Sequence, residues 1–285
     1  MPARSDRAAE AGHSSDPAAL LALARDVAHR AGRLLVERRP PGALAVTSKS
    51  TPTDIVTAMD TAAERLIVQA LRAARPGDPV LGEEGTPGAD ADADTEPGAH
   101  PGGVRWVVDP IDGTVNYFYG IPAYAVSIAA EVDGEVVAGV VHNPVSGETW
   151  TATRGGGARL DDDPVTVNEP VPLDRALVGT GFAYAAERRA RQAGILLTAL
   201  PAVRDIRRAG AASLDLCAVA CGRLDGYYEQ GLAPWDLAAG GLVAREAGAR
   251  VEGAYGKPAG EDLVIAAPPG VFEPLHDLVA PLFSA

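Results

Sequence analysis

Apolar residues recur at helical spacing between Pro17 and Arg39 (Leu20, Leu21, Leu23, Val27, Leu34, Leu35), which predicts an amphipathic helix capped by Asp16 and stopped by Pro40 and Pro41. A second helix fits Asp60 to Ala74, ended by Arg75-Pro76-Gly77, and the apolar run Pro79-Val80-Leu81 reads as a short strand leading into Gly82-Glu83-Glu84. Val104 to Val108 reads as a strand that breaks at Asp109-Pro110. Tyr124 to Ala130, Glu135 to His142 and Thr149 to Thr153 then predict an antiparallel meander with polar turns.

Beyond about Asp163 the texture changes. Strands at 176–179, 226–229 and 263–266 alternate with helices at 185–200, 212–220 and 236–246, which favours a layered α/β arrangement. The fold class is therefore α/β: an α+β half over 17–162 and a layered α/β half over 163–285, with no linker long enough to make them independent. Residues 1–16, rich in Ala, Arg, Asp and Ser, contain no apolar run and read as a disordered tail, neither a secretory signal nor an anchor. Thr86 to Gly103 has no periodicity and reads as a mobile surface loop whose carboxylates are a charge run, not a site.

Composition narrows the class of protein. With 285 residues and 47% hydrophobic content the chain can bury a core without disulfides. Cys217 and Cys221, four apart on a predicted helix, read as packing residues and suit a reducing, cytoplasmic compartment. No run of about eighteen apolar residues exists to span a membrane. A net charge of −13 disfavours nucleic acid as a partner. Most of that charge is solubilising surface, but carboxylates are also how a protein holds magnesium. Of 25 basic residues only Lys49 and Lys257 are lysine, which makes the two candidates for positions that use the compact ammonium.

Three acidic stations stand at strand ends or helix starts: Glu83 and Glu84, then Asp109 and Asp112, then Asp236. Carboxylates gathered there are costly unless a cation lies between them. In Asp109-Pro110-Ile111-Asp112-Gly113-Thr114, Pro110 stiffens the turn and Gly113 permits close approach of the backbone. A helix starting after Thr114 would aim free N–H groups at an anion. Taken alone, an Asp-rich turn with a glycine is an ordinary turn.

The longer run Trp106-Val107-Val108-Asp109-Pro110-Ile111-Asp112-Gly113-Thr114-Val115-Asn116-Tyr117 resembles the first signature of the inositol monophosphatase family, and Trp235-Asp236-Leu237-Ala238-Ala239-Gly240 resembles its second. Gly82-Glu83-Glu84 stands upstream in the family's order, and the similarity extends from about Lys49 to Val251. The resemblance implies one phosphatase domain over 17–285, an αβαβα sandwich of the sugar phosphatase type, binding two or three Mg²⁺ ions. Glu83, Asp109, the Ile111 carbonyl, Asp112 and Asp236 match the metal ligands, with Asp109 bridging. Gly113 and Thr114 match the phosphate-contacting amides. The Thr114 hydroxyl, held by Asp60, matches the pair that orients the attacking water, and Glu83 is the other candidate proton acceptor. Glu84 and Asp54 match residues that support the ligands, and Lys49 lies in a Lys49-Ser50-Thr51-Pro52-Thr53-Asp54 stretch similar to the family's loop near the active site.

For the alcohol side, the resemblance points to Asp112, to Gly210-Ala211-Ala212 and to Glu229, seven residues before Asp236. Ala211 departs from the Ser or Thr common in the family, so any contact made by that hydroxyl is absent. Arg204, Arg207 and Arg208 are a candidate ligand or subunit contact against a solvated cluster. The expected reaction is hydrolysis of myo-inositol 1-phosphate by magnesium-activated water, without a phosphoenzyme. Histidinol phosphate, fructose bisphosphate and 3′-phosphoadenosine 5′-phosphate are alternative substrates of the same chemistry. A non-catalytic regulatory binding protein is the alternative of another class. The resemblance also implies a homodimer and lithium sensitivity. His13, His29, His100, His142 and His276 show no metal spacing, no Ser or Cys sits in a nucleophile elbow, and Gly155-Gly156-Gly157 reads as a hairpin, not a nucleotide loop.

Overall fold

The structure, a computed structural model, describes residues 15–39, 46–48, 55–85 and 103–283. The predicted tail up to residue 14, Lys49, Asp54 and residues 86–102 of the predicted loop lie outside the described residues.

Helix α1 (Pro17–Glu37) begins where the pattern places it: Asp16 accepts the Ala18 N–H at 3.4 Å, and Leu20, Ala24, Val27, Ala31 and Leu35 form its buried face. Strands β1 (Val46–Ser48) and β2 (Ile55–Thr57) pair antiparallel. Helix α2 (Ala58–Ala74) starts two residues before Asp60 because Thr57 caps it: the Thr57 hydroxyl accepts the Met59 N–H at 3.1 Å while Asp60 accepts the Thr57 N–H at 2.7 Å.

Strand β3 (Val80–Gly82) lies parallel to β4 (Val104–Asp112). The predicted break at Asp109-Pro110 does not occur. β4 runs through the proline to Asp112, and a register shift between Asp109 and Asp112 accommodates the missing N–H. Helix α3 (Thr114–Tyr119) follows immediately. Strands β5 (Ala125–Val132), β6 (Glu135–His142), β7 (Thr149–Thr153), β8 (Gly157–Leu160) and β9 (Asp163–Val165) complete a seven-stranded sheet in sequence order from β3 to β9. The three glycines are the β7–β8 hairpin, with Gly155 and Gly157 at φ 72° and 78°.

The second sheet contains β10 (Leu177–Thr180), β11 (Asp205–Arg207), β12 (Gly226–Glu229), β13 (Arg250–Glu252) and β14 (Val264–Ala267), in the order β11-β10-β12-β14-β13. The first three are mutually parallel and the last two antiparallel to their neighbours. Its helices are α4 (Ala186–Ala199), α5 (Ala212–Ala220), α6 (Pro234–Glu246) and α7 (Pro269–Phe283). The pattern did not reveal α7, because Pro274 and Pro281 interrupt it; Val271, Phe272, Leu275 and Val279 nevertheless bury one helical face.

Five layers result. Helices α1 and α2 cover one face of the seven-stranded sheet, α5 and α6 lie between the two sheets, and α4 and α7 close the far face. The middle layer depends on small residues. A Cβ added to Gly139 on β6 would lie 3.0 Å from Ala239 Cα on α6, and one on Gly240 would lie 3.0 Å from the Ser213 carbonyl on α5. Helix α6 is thus seated by backbone contact on both sides. Gly139→Val should overpack this contact and lower unfolding free energy by about 2 kcal/mol, read as a lower denaturant midpoint at unchanged m-value.

Candidate active site

The chain's turns and helix starts converge on one cavity of about 410 Å³. Parallel pairing of Gly82 with Val108 sets Glu83, just past β3, beside Asp109 near the end of β4. Asp112 ends β4, Gly113 (φ 92°) turns the chain, and Thr114 opens α3. Gly210, Ala211 and Ala212 come from the start of α5, Glu229 from the end of β12 and Asp236 from the first turn of α6. All these residues and Ile111 line the cavity. Asp60 stands behind Thr114, outside the wall.

Carboxyl oxygens of Asp109, Asp112 and Asp236 lie within 4.8 Å of one another. Asp109 and Asp112 are only 1% and 6% exposed, so water does little to screen them. Burial pushes the Asp112 carboxyl up to about 6 against the pull of hydrogen bonds from Ser213. Burial, then repulsion from Glu83, Asp112 and Asp236, holds Asp109 well above the usual carboxylate range, and burial with repulsion from Asp112 does the same for Asp236. A cation among them would reverse that balance.

Each carboxylate is oriented by the backbone. Asp109 Oδ1 accepts the Ile111 N–H at 2.9 Å, Asp236 Oδ2 accepts the Ala233 N–H at 2.7 Å, and Asp112 accepts the N–H groups of Ala212 and Ser213 at 3.2 and 2.7 Å. Ser213 Oγ donates to Asp112 as well. Among the described residues the donor set is oxygen alone, with no imidazole or thiolate in the cavity wall, which suits a hard cation of the magnesium type.

Beside this cluster Thr114 Oγ1 lies 2.9 Å from Asp60 Oδ1 and 3.1 Å from the Ile111 carbonyl. Asp60 is fully buried, and its other oxygen accepts both the N–H and the hydroxyl of Thr57. Glu229, also in the cavity wall, receives the Tyr227 hydroxyl at 2.6 Å. Ala211 is buried, with its methyl group near Gly113, and presents no hydrogen-bonding group.

The arginine cluster divides. Arg204 donates to the Arg175 carbonyl at 2.7 Å, Arg207 pairs with Asp205 at 2.6 Å, and Arg208 lines the cavity, as does Arg188 from α4. Sequence reasoning assigned no role to Ser213 or Glu64. Glu64 accepts the Glu84 N–H at 2.8 Å and packs over Gly82, fixing the turn that carries Glu83. The signal for Ser213 was its place in the first turn of a helix; Glu64 gave none, since a charged residue on α2 reads as surface.

The family model described as "Inositol monophosphatase family" matches residues 16–283. The chain belongs to the inositol monophosphatase family. Membership makes it a phosphatase, from a family of metal-dependent hydrolases. The inositol-1-monophosphatase of Mycobacterium leprae is 48% identical over 276 residues, covering 92% of this chain and 93% of its own. A relative named Nus factor SuhB from Pasteurella multocida is 37% identical over 266 residues, covering 91% and 95%. The crystal structure of the extragenic suppressor protein suhB from Bartonella henselae superposes with a TM-score of 0.82 at 35% identity, covering 92% and 98%. The inositol monophosphatase fold is the five-layered arrangement described above.

Two measurements probe the electrostatics of this family member. Magnesium added at neutral pH should raise the melting temperature, with about 2.7 kcal/mol of stabilisation at a hundredfold excess over the dissociation constant; Asp109→Asn should abolish the shift. Asp215 on α5 is buried near Glu229, and burial with repulsion from Glu229 and Asp112 pushes its carboxyl up to about 8. Between the ordinary Asp value of about 4 and this raised value the unfolded chain has released the proton while the folded chain keeps it, so folding stability falls as pH rises through that window. In chelator, Asp215→Asn should flatten that slope and gain on the order of 1–2 kcal/mol at pH 8, measured by urea unfolding at pH 5 and pH 8.

Proposed function

We propose that the protein hydrolyses a small polyol phosphate monoester, myo-inositol 1-phosphate first among candidates, with two or three magnesium ions held by Glu83, Asp109, the Ile111 carbonyl, Asp112 and Asp236. The observation that carries this reading is the sharing of one cavity by a largely buried all-oxygen acid cluster and the hydrogen-bond acceptor Glu229. When bound, magnesium supplies Lewis-acid activation of water and charge stabilisation of the leaving alkoxide.

The chain's own groups do the rest. The N–H groups of Gly113 and Thr114, at the turn into α3, would receive phosphate oxygens. With its proton directed at Asp60, the Thr114 hydroxyl keeps a lone pair to accept a hydrogen bond from an attacking water, and would pass its own proton to Asp60 as it takes the water's; Glu83 is the alternative acceptor. Asp60 cannot rotate away, because Thr57 occupies its second oxygen. Asp112, Gly210, Ala211, Ala212 and Glu229 form the alcohol side, and Lys49, Asp54 and Glu84 are carried as supporting residues on resemblance. Among the described residues no Ser, Cys or His lines the cavity, which accords with direct attack by water and no phosphoenzyme.

The relatives named inositol-1-monophosphatase favour the inositol ester over histidinol phosphate, fructose bisphosphate or 3′-phosphoadenosine 5′-phosphate. A homodimer in the cytoplasm, sensitive to lithium, rests on the family resemblance alone. No described helix is long and apolar enough to cross a membrane. A purely regulatory role would leave the acid cluster without purpose.

Phosphate release from the four esters, each with magnesium and with chelator, tests the reading. The expected result is magnesium-dependent turnover led by inositol 1-phosphate; another leader replaces the substrate, and silence on all four sinks the catalytic reading. Asp109→Asn should remove turnover, and Thr114→Ala should lower kcat by about 10²-fold, both at wild-type fold by circular dichroism.

A further inference from the structure

Glu229 occupies a socket defined by side chains that are missing. β10 and β12 pair parallel with Gly179 beside Tyr227, and Gly181 follows two residues later, on the same face. A Cβ at Gly179 would lie 3.2 Å from the Tyr227 ring and 2.8 Å from Leu224; one at Gly181 would fall inside the Glu229 carboxylate. Neither glycine has a positive φ, so backbone freedom does not explain them and space does.

Into that space Tyr227, fully buried, projects its hydroxyl and donates to Glu229 Oε2 at 2.6 Å. Among the described residues the hydroxyl has no second partner and Oε1 of Glu229 has none at all. A carboxylate with one oxygen committed and its rotamer confined can present the other in a fixed direction. Burial pushes Glu229 up to about 7, and the Tyr227 hydrogen bond, followed by the Arg208 charge, pulls it back toward the ionised form that accepts hydrogen bonds.

We propose that Tyr227 and Gly181 are positioning residues that aim Glu229 Oε1 at a hydroxyl of the substrate's alcohol, so that the protein selects phosphate esters of polyols over esters lacking such a hydroxyl. This rests on the proposed phosphatase function and adds to it the device that sets alcohol selectivity. Removing the Tyr227 hydroxyl frees the carboxylate to rotate or protonate; adding a methyl at Gly181 displaces it. Neither residue belongs to the acid cluster or to the turn at Gly113.

The test compares Tyr227→Phe and Gly181→Ala with the parent, in magnesium, on the polyol ester the parent turns over best and on phenyl phosphate, with inorganic phosphate as competitive inhibitor. Losing an aligned hydrogen bond to a charged group should lower kcat/KM for the polyol ester about tenfold, chiefly through KM. The phosphate inhibition constant and the phenyl phosphate activity should stay within about twofold, a split that a general loss of structure would not give. An unchanged KM for the polyol ester in Tyr227→Phe overturns the inference, as does a proportional loss on both substrates and on phosphate inhibition. Should Gly181→Ala not fold, Tyr227→Phe decides alone. A parent that ignores inositol 1-phosphate but prefers another polyol ester overturns the substrate assignment and leaves the Tyr227 comparison decisive.

Discussion

The repulsion among Asp109, Asp112 and Asp236 is the constraint around which the rest of the site is arranged. Three carboxyls within 4.8 Å, two buried and one half-buried, would drive one another apart or take up protons unless each were held. Each is held, by the N–H groups of Ile111, of Ala212 and Ser213, and of Ala233. Those donors lie in three separate segments: the bulged end of β4, the start of α5 and the start of α6. The fold therefore meets the repulsion with backbone dipoles from distant parts of the chain, and leaves the remaining lone pairs for a cation.

That division explains why the acids were legible in the sequence and their supports were not. Asp109, Asp112 and Asp236 sit in long motifs with Pro, Gly and Trp at fixed offsets, and every one reached the cavity. The helices showed themselves where one apolar face repeats, as in α1 and α2. The strand through Pro110 was hidden because proline reads as a terminator, whereas a bulge makes room for it. Helix α7 was hidden by Pro274 and Pro281 in the same way. Glu64 and Ser213 act only through residues far away in sequence, so no local pattern marks them. Lys49 and Asp54, read from resemblance, lie outside the described residues.

Glycine is used in two physically distinct ways around the cavity. Gly113 and Gly210, both at φ 92°, turn the backbone where a side chain would be strained. Gly139, Gly181 and Gly240 have ordinary backbone angles and instead admit a neighbour's atoms. The second use is invisible to turn-based reading, because nothing in the local sequence says what will be packed against the missing Cβ.

The seating of α6 between the two sheets carries a consequence for ion discrimination. Magnesium takes oxygen at roughly 2.0–2.1 Å and calcium at roughly 2.3–2.6 Å, a difference of only a few tenths of an ångström. Asp109 and Asp112 ride on one sheet while Asp236 rides on a helix pressed against Gly139 of that sheet and against Ser213 of the next helix. The spacing of the acids is thus set by the thickness of backbone-to-backbone contacts, which vary less than contacts between flexible side chains. The stripe of small residues works as a gauge, fixing from several ångströms away the spacing of acids that a bound cation would meet.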